Sequence, residues 1–248
     1  MGGNACFGGN CAEPITIRDR ASRDLHQDRI SHLIAAINDG VWHLTTTRLW
    51  PKDVCIENFM AGSTCHLFNP KISTENLVNV KNVFGDIDIQ IDKEHKDDVI
   101  KFLKSICAAG MFRLHGWERT FSDTIITVWQ DTVTDQNYQL DLELVDFENG
   151  QPTEWSRFSR SSSWDDTNLF IKGFAHKYIF RAITATNLIE TWVKLKTKKV
   201  KKNITPVVFS PKGGRIKWRQ VGNDLWEEIP MEESVLVRDV EGIFELFF

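Results

Sequence analysis

The chain has 248 residues, 42% of them hydrophobic and 26% charged, with a formal net charge of −4. This composition excludes a disordered polyelectrolyte, and the acidic balance excludes polyanion binding by overall charge, so any nucleic-acid contact has to rest on a local patch. No apolar run approaches the roughly 18 residues of a membrane-crossing helix, and sixteen Phe and nine Trp against two Tyr supply core volume first and a few stacking surfaces second.

The opening "MGGNACFGGNC" has Cys6 where a myristoylation pattern has Ser or Thr, and no apolar leader, so a flexible start is expected. Five cysteines, Cys6, Cys11, Cys55, Cys65 and Cys107, are odd in number and lack Cys-x-x-Cys spacing. They read as reduced thiols in a cytoplasm, not as zinc ligands. Over residues 27–38, Ile30, Leu33, Ile34 and Ile37 recur at helical spacing, and Asn38, Asp39 and Gly40 supply a stop. The stretch "DVCIENFMAGS" reads as a strand that breaks into a tight loop at Gly62 and Ser63, followed by a long polar loop over 69–79.

In "FGDIDIQID", residues 84–92, the alternation is strict: Ile87, Ile89 and Ile91 share one face, and Asp86, Asp88, Gln90 and Asp92 share the other. Residues 93–110 follow as a helix with Val99, Ile100, Leu103 and Ile106 inward and Gly110 as its C-cap. Two further strands, 123–131 and 137–147, flank a turn; in the second, Leu140, Leu142 and Leu144 oppose Gln139, Asp141 and Glu143. Beyond residue 150 a Ser/Arg loop precedes a long, mostly helical pattern over 169–196. A boundary near 150 therefore separates a first domain, 1–150, from an extension, 151–248. The extension holds six lysines in "KLKTKKVKK", then Lys212, Arg215, Lys217 and Arg219 around Trp218 beside a Gly-Gly hairpin signal.

If the strands of Asp86, Asp88 and Asp141 pair, three carboxylates meet on one sheet surface. Such a cluster repels itself unless a pKa rises or a hard cation with oxygen ligands, Mg²⁺ or Mn²⁺, neutralises it. The alternative is a solvated acidic face of an antiparallel sheet. A Ca²⁺ loop is excluded, because the acids lie on an alternating strand without a Gly-centred twelve-residue loop.

The order of these features, a Gly-Ser loop (Gly62, Ser63), an Asp-x-Asp strand (Asp86, Asp88) and a later Leu-Asp-Leu (Asp141), resembles the nucleotidyltransferase superfamily with a polymerase-beta-like core. The likeness covers roughly residues 53–146. It implies an α+β fold, a nucleotidyltransferase-like mixed β-sheet flanked by helices, with a C-terminal helical and β extension. It also implies two-metal transfer of a nucleoside monophosphate from an NTP to an acceptor hydroxyl, with Asp86, Asp88 and Asp141 as metal and catalytic residues. Gly62 and Ser63 would hold the triphosphate, and Glu143, on the same face as Asp141, is the alternative third acid. In "LFIKGFAHKYIFRA" the resemblance offers Lys172 and Lys177 to the nucleotide, with Tyr178 and Arg181 nearby. The start "MGGNA" is also similar to nucleotidyltransferase-like proteins of bacteriophages, which would place the chain in a host cytoplasm.

The basic segment 194–219, from the lysine run to Arg219 with Trp218 interleaved, suits a phosphate backbone and a stacked base, favouring an RNA or tRNA end as acceptor. A lysine-rich helix end followed by an exposed hairpin is the structural alternative. Two other functions share these features: an inactive relative that binds nucleic acid through this segment, and a nucleotidyltransferase toxin or regulator acting on a protein or small molecule.

Overall fold

The structure is a computed structural model and describes residues 5–51, 55–120, 123–160, 163–164, 170–171, 182–183, 185–196, 198–210 and 213–246. It is a mixed α+β chain that divides into two compact units, Met1–Pro152 with Arg160–Lys172, and Thr153–Ser159 with Gly173–Phe248.

The first unit opens with a hairpin of β1 (Cys6–Phe7) and β2 (Asn10–Cys11), in which Cys6 faces Cys11 and the two form a disulfide. The reading of all five cysteines as thiols is thereby corrected: three are free, Cys55, Cys65 and Cys107. The hairpin is also not a loose start. Phe7 sits against Gly116 so closely that a Cβ there would fall 2.5 Å from it, and Asn137 donates to the Cys11 carbonyl. Strand β3 (Ile15–Thr16) then leads to helix α1 (Arg20–Thr45), capped by Asp19 and Ser22 in reciprocal hydrogen bonds.

Helix α1 runs past the expected stop at residues 38–40. Asn38 faces inward, where its side chain holds the Leu49 and Trp50 amides and the Trp50 carbonyl. Gly40 is a notch: a Cβ there would lie 2.4 Å from the Phe102 ring. Both residues thus serve packing inside a helix, and chain reversal waits for Thr46 in the left-handed region. The stretch expected as a strand over 53–63 holds a short 3-10 turn (Ile56–Asn58) and isolated bridge positions at Met60 and Gly62, with residues 52–54 outside the described ones. The polar loop after it carries two short helices, α2 (Cys65–Phe68) and α3 (Thr74–Val80).

After β4 (Val83–Phe84), the alternating stretch forms β5 (Ile87–Asp92), and α4 (Lys96–Ser105) buries Val99, Phe102 and Leu103. Helix α4 ends before Gly110, which instead turns β6 (Ala108–Ala109) into β7 (Phe112–Arg119) with φ of 58°. Strand β7 has no clean alternation, being bulged between Leu114 and Gly116, and so carried no strand signal. With β8 (Thr124–Asp131) and β9 (Asn137–Val145) it completes a five-stranded sheet of order β5-β9-β8-β7-β6. This sheet is mixed: β5 and β9 are parallel, and the remaining pairs are antiparallel. Ile87, Ile89, Ile91, Leu140 and Leu142 join Ile30, Leu33, Ile34 and Ile37 of α1 in one core. Two short hairpins follow, β10 (Phe147–Glu148) with β11 (Gln151–Pro152) and β12 (Ser163–Trp164) with β13 (Phe170–Ile171), flanking α5 (Glu154–Arg160).

The helix expected over 169–196 is absent at both described ends: Phe170–Ile171 is β13, residues 172–181 lie outside the described ones, and in the second unit Ile189–Lys194 is strand β14. The reason is a period of two: Thr191 and Val193 point inward, Glu190, Trp192 and Lys194 outward. The lysine run is likewise no helix end; it forms the turn and return strand β15 (Lys199–Ile204). A hairpin of β16 (Val207–Ser210) and β17 (Gly213–Ile216) forms here, but the two glycines of the expected turn are strand residues opposite Ser210 and Phe209, and β18 (Trp218–Gly222) and β19 (Leu225–Glu228) complete a four-stranded sheet of order β15-β14-β19-β18. Among the described residues, no helix is long and apolar enough to cross a membrane.

Candidate functional site

The parallel pairing of β5 with β9 sets Asp88 directly opposite Asp141 and Gln90 opposite Glu143. Directly opposed residues of neighbouring strands project to the same face. Asp86 lies two residues before Asp88, and one carboxylate oxygen from each of Asp86, Asp88 and Asp141 falls within 4.8 Å of the others. This face is not a solvated one. Gln90 is 0% exposed and Glu143 8%, while Asp86, Asp88 and Asp141 are half-buried beside them.

The free edge of β5 is occupied by the chain at 59–64. Gln90 donates its amide to the Phe59 carbonyl, Ala61 donates to Asp88 O, and the buried Thr64 hydroxyl donates to Asp86 O at 2.6 Å. These bonds draw Gly62 and Ser63 alongside the Asp-x-Asp pair despite the long sequence interval between them. Gly62 has φ of 58°, and a Cβ on it would sit 1.7 Å from Asp88 Oδ2. Glycine is required twice, by conformation and by the carboxylate against it. The intervening helices are pinned from behind: the Arg23 guanidinium donates to the carbonyls of Leu67, Asn69 and Ile72, and Gln27 donates to Leu67 O. The interval after Ser63 is thus ordered.

Arg160 closes the site from the other side. Its carbonyl accepts the Gly62 amide at 3.0 Å, and its guanidinium donates to Glu143 Oε1 at 3.0 Å. Glu143 is therefore committed to a cation of the protein and lies a step along the strand from the trio, whereas Asp141 faces Asp88. Gln139 completes the surround, receiving the Ala5 amide on Oε1 and donating from Nε2 to Asp141 Oδ1 at 2.9 Å. Neither Arg160 nor Gln139 was singled out from sequence. Gln139 shares the alternating face of Asp141 and could have been; Arg160, in the stretch expected as a Ser/Arg loop, is the last residue of α5 and carried no signal.

Burial dominates the electrostatics. It raises the Asp86 carboxyl, Lys81 partly offsetting it. It pushes Asp88 well above the ordinary carboxylate range, with Asp86, Glu143 and Asp141 adding negative potential and Arg160 opposing them. Asp141 is raised to about 7 by burial, against the Gln139 hydrogen bond and with help from Asp86 and Glu143. Three acids pushed upward together form a site short of positive charge, with an all-oxygen donor set suited to a hard divalent cation. Lys172 and Lys177, with Tyr178 and Arg181, lie outside the described residues.

The basic segment is placed differently from expectation. Trp218 is 5% exposed and packs with Val193 and Ile204 in the core of the second unit, so it offers no face to a base. Several cations are paired: Lys194 with Glu227, Lys201 with Glu190, Lys217 with Glu228, and Arg219 with Glu227 and Glu233. Compared with known proteins, the chain matches no family model and no curated sequence.

Proposed function

We infer that the protein is a metal-dependent nucleotidyltransferase, moving a nucleoside monophosphate from an NTP to an acceptor hydroxyl, with an RNA end as the acceptor. One observation carries this reading: Asp88 and Asp141 directly opposed on parallel strands, Asp86 beside them, and a left-handed glycine pressed against Asp88. A structural sheet gains nothing from three half-buried, mutually repelling carboxylates, and a turn needs no glycine at contact with one of them.

Asp86, Asp88 and Asp141 would hold Mg²⁺ or Mn²⁺, which when bound supplies charge to the attacking and leaving oxygens of phosphoryl transfer. The residues around them keep that set in place. Gly62 leaves room for Asp88, and its amide is used on Arg160, so Ser63 is the loop residue assigned to the triphosphate. Arg160 neutralises Glu143 and so keeps a fourth acid out of the ligand set. Gln139 fixes the orientation of Asp141. Lys172 and Lys177 keep their nucleotide role from the sequence resemblance alone.

The test is incubation of the purified protein with each α-labelled NTP, Mg²⁺ or Mn²⁺ and total RNA, beside Asp86→Asn/Asp88→Asn. Label entering RNA with the unsubstituted chain only is the expected result and identifies the base. Label entering protein or a small molecule instead moves the acceptor to the toxin or regulator class. No incorporation anywhere, with no nucleotide binding, overturns the enzyme reading.

A further inference from the structure

The hairpin of β14 and β15 spans residues 189–204 and carries six lysines against a single glutamate, in a protein whose net charge is −4. On its outer face Trp192 pairs across the strands with Lys201, and Lys194 pairs with Lys199. Trp192 is 47% exposed, while the inward positions Thr191 and Val193 on the same strand are buried. The core of this unit is built from Val193, Ile204 and Trp218 with Ile189 and Trp226, so it does not use Trp192. Lys194 and Lys201 have acidic partners in Glu227 and Glu190, but Lys196, Lys198 and Lys199 are exposed and form no ion pair among the described residues.

We propose that this face, centred on Trp192 with Lys199 on the same side and Lys196 and Lys198 at the adjoining turn, binds a single-stranded polynucleotide. The aromatic ring sets the choice of partner. Lysines alone attract any polyanion, duplexes and acidic peptides included, but a large exposed ring among them gains most from an unpaired base that can stack on it while phosphates lie on the lysines. Trp218, the residue expected to stack, is replaced in that role by Trp192, because alternation along β14 turns Trp192 outward and the core takes Trp218. Assigning the bound strand as the acceptor rests on the transferase reading above; the binding itself does not.

The experiment measures anisotropy of fluorescein-labelled single-stranded U12 RNA, and separately dT12 DNA, with the full chain, in EDTA and without NTP, from 50 to 300 mM salt. Binding that weakens steeply with salt is expected, and the two oligonucleotides show whether the sugar matters. Trp192→Ala should weaken binding about tenfold and Trp192→Phe much less. Lys196→Gln/Lys198→Gln/Lys199→Gln should lower the slope of log affinity against log salt by about 2. All of these positions are solvent-facing, and circular dichroism melts verify that each variant stays folded. Absence of binding at 50 mM salt, unchanged affinity in Trp192→Ala, or equal affinity for duplex or for polyglutamate would overturn the proposal. Because no metal or NTP is present, such a failure leaves the transferase reading intact with a different acceptor, whereas binding without label transfer removes the enzyme and keeps this surface.

Discussion

Two acidic sites on the same five-stranded sheet, one buried and one half-buried, are treated in opposite ways. At the end of β8, Asp131 is fully buried and receives two hydrogen bonds from Arg29 of α1, at 2.6 and 2.8 Å, with the Val133 amide and Thr134 hydroxyl completing its shell. Burial works to raise this carboxyl, but those donors outweigh it and hold it below its ordinary value. On β5 and β9, by contrast, Asp86, Asp88 and Asp141 gather with one another, and burial raises all three. The first arrangement is complete within the chain and serves to tie α1 to the sheet. The second has no comparable set of donors among the described residues, and in the proposed reading a divalent cation would supply the missing charge.

Removing the carboxylates of the second site should have the largest effect: Asp86→Asn/Asp88→Asn is expected to lower label transfer by 10³-fold or more while the fold persists, read by a single-turnover assay and circular dichroism. Breaking the first site should instead act on stability. Arg29→Ala leaves Asp131 buried and uncompensated and should cost about 3–5 kcal/mol in urea denaturation, most of it regained in Arg29→Met/Asp131→Leu. If the two sites behaved alike, the contrast drawn above would collapse.

The next effect has the opposite sign. A folded-state carboxyl at about 7 for Asp141, against about 3.9 unfolded, means the folded chain binds that proton more tightly. Stability is therefore lost as pH rises from about 4 to about 7, and the full penalty stands above that. Asp141→Asn should be more stable than the unsubstituted chain by about 4 kcal/mol at pH 8 without divalent ions, and no more stable near pH 4. Mg²⁺ at a hundred times its Kd should add about 2.7 kcal/mol to the unsubstituted chain, and EDTA should remove it, with little response from Asp141→Asn in thermal melts. The smallest effect is expected at Gly62→Ala, about 1–2 kcal/mol from the left-handed backbone. Displacement of Asp88 there should reduce transfer by more than the stability loss accounts for.

Sequence alone was enough to locate the trio of acids, because an alternating strand declares its two faces and acids on an otherwise apolar strand stand out. It also marked Gly62 and Ser63, the core helices α1 and α4, and an α+β architecture. It misread Asn38 and Gly40 as a helix stop, since an amide and a glycine look the same locally whether they end a helix or notch it for Phe102. Arg29 with Asp131, Arg23 behind the loop, and Arg160 across from Glu143 are separated by tens of residues and follow no period, so only folding brought them together. The same holds for the choice between Trp192 and Trp218: both stand among lysines in the chain, and the sheet register alone decided which ring enters the core. Periodicity is a local property and was legible. Charge compensation and close approach are long-range, and for that reason tertiary structure decided which acid is paired with an arginine, which acids gather with one another, and why Gly62 must be glycine.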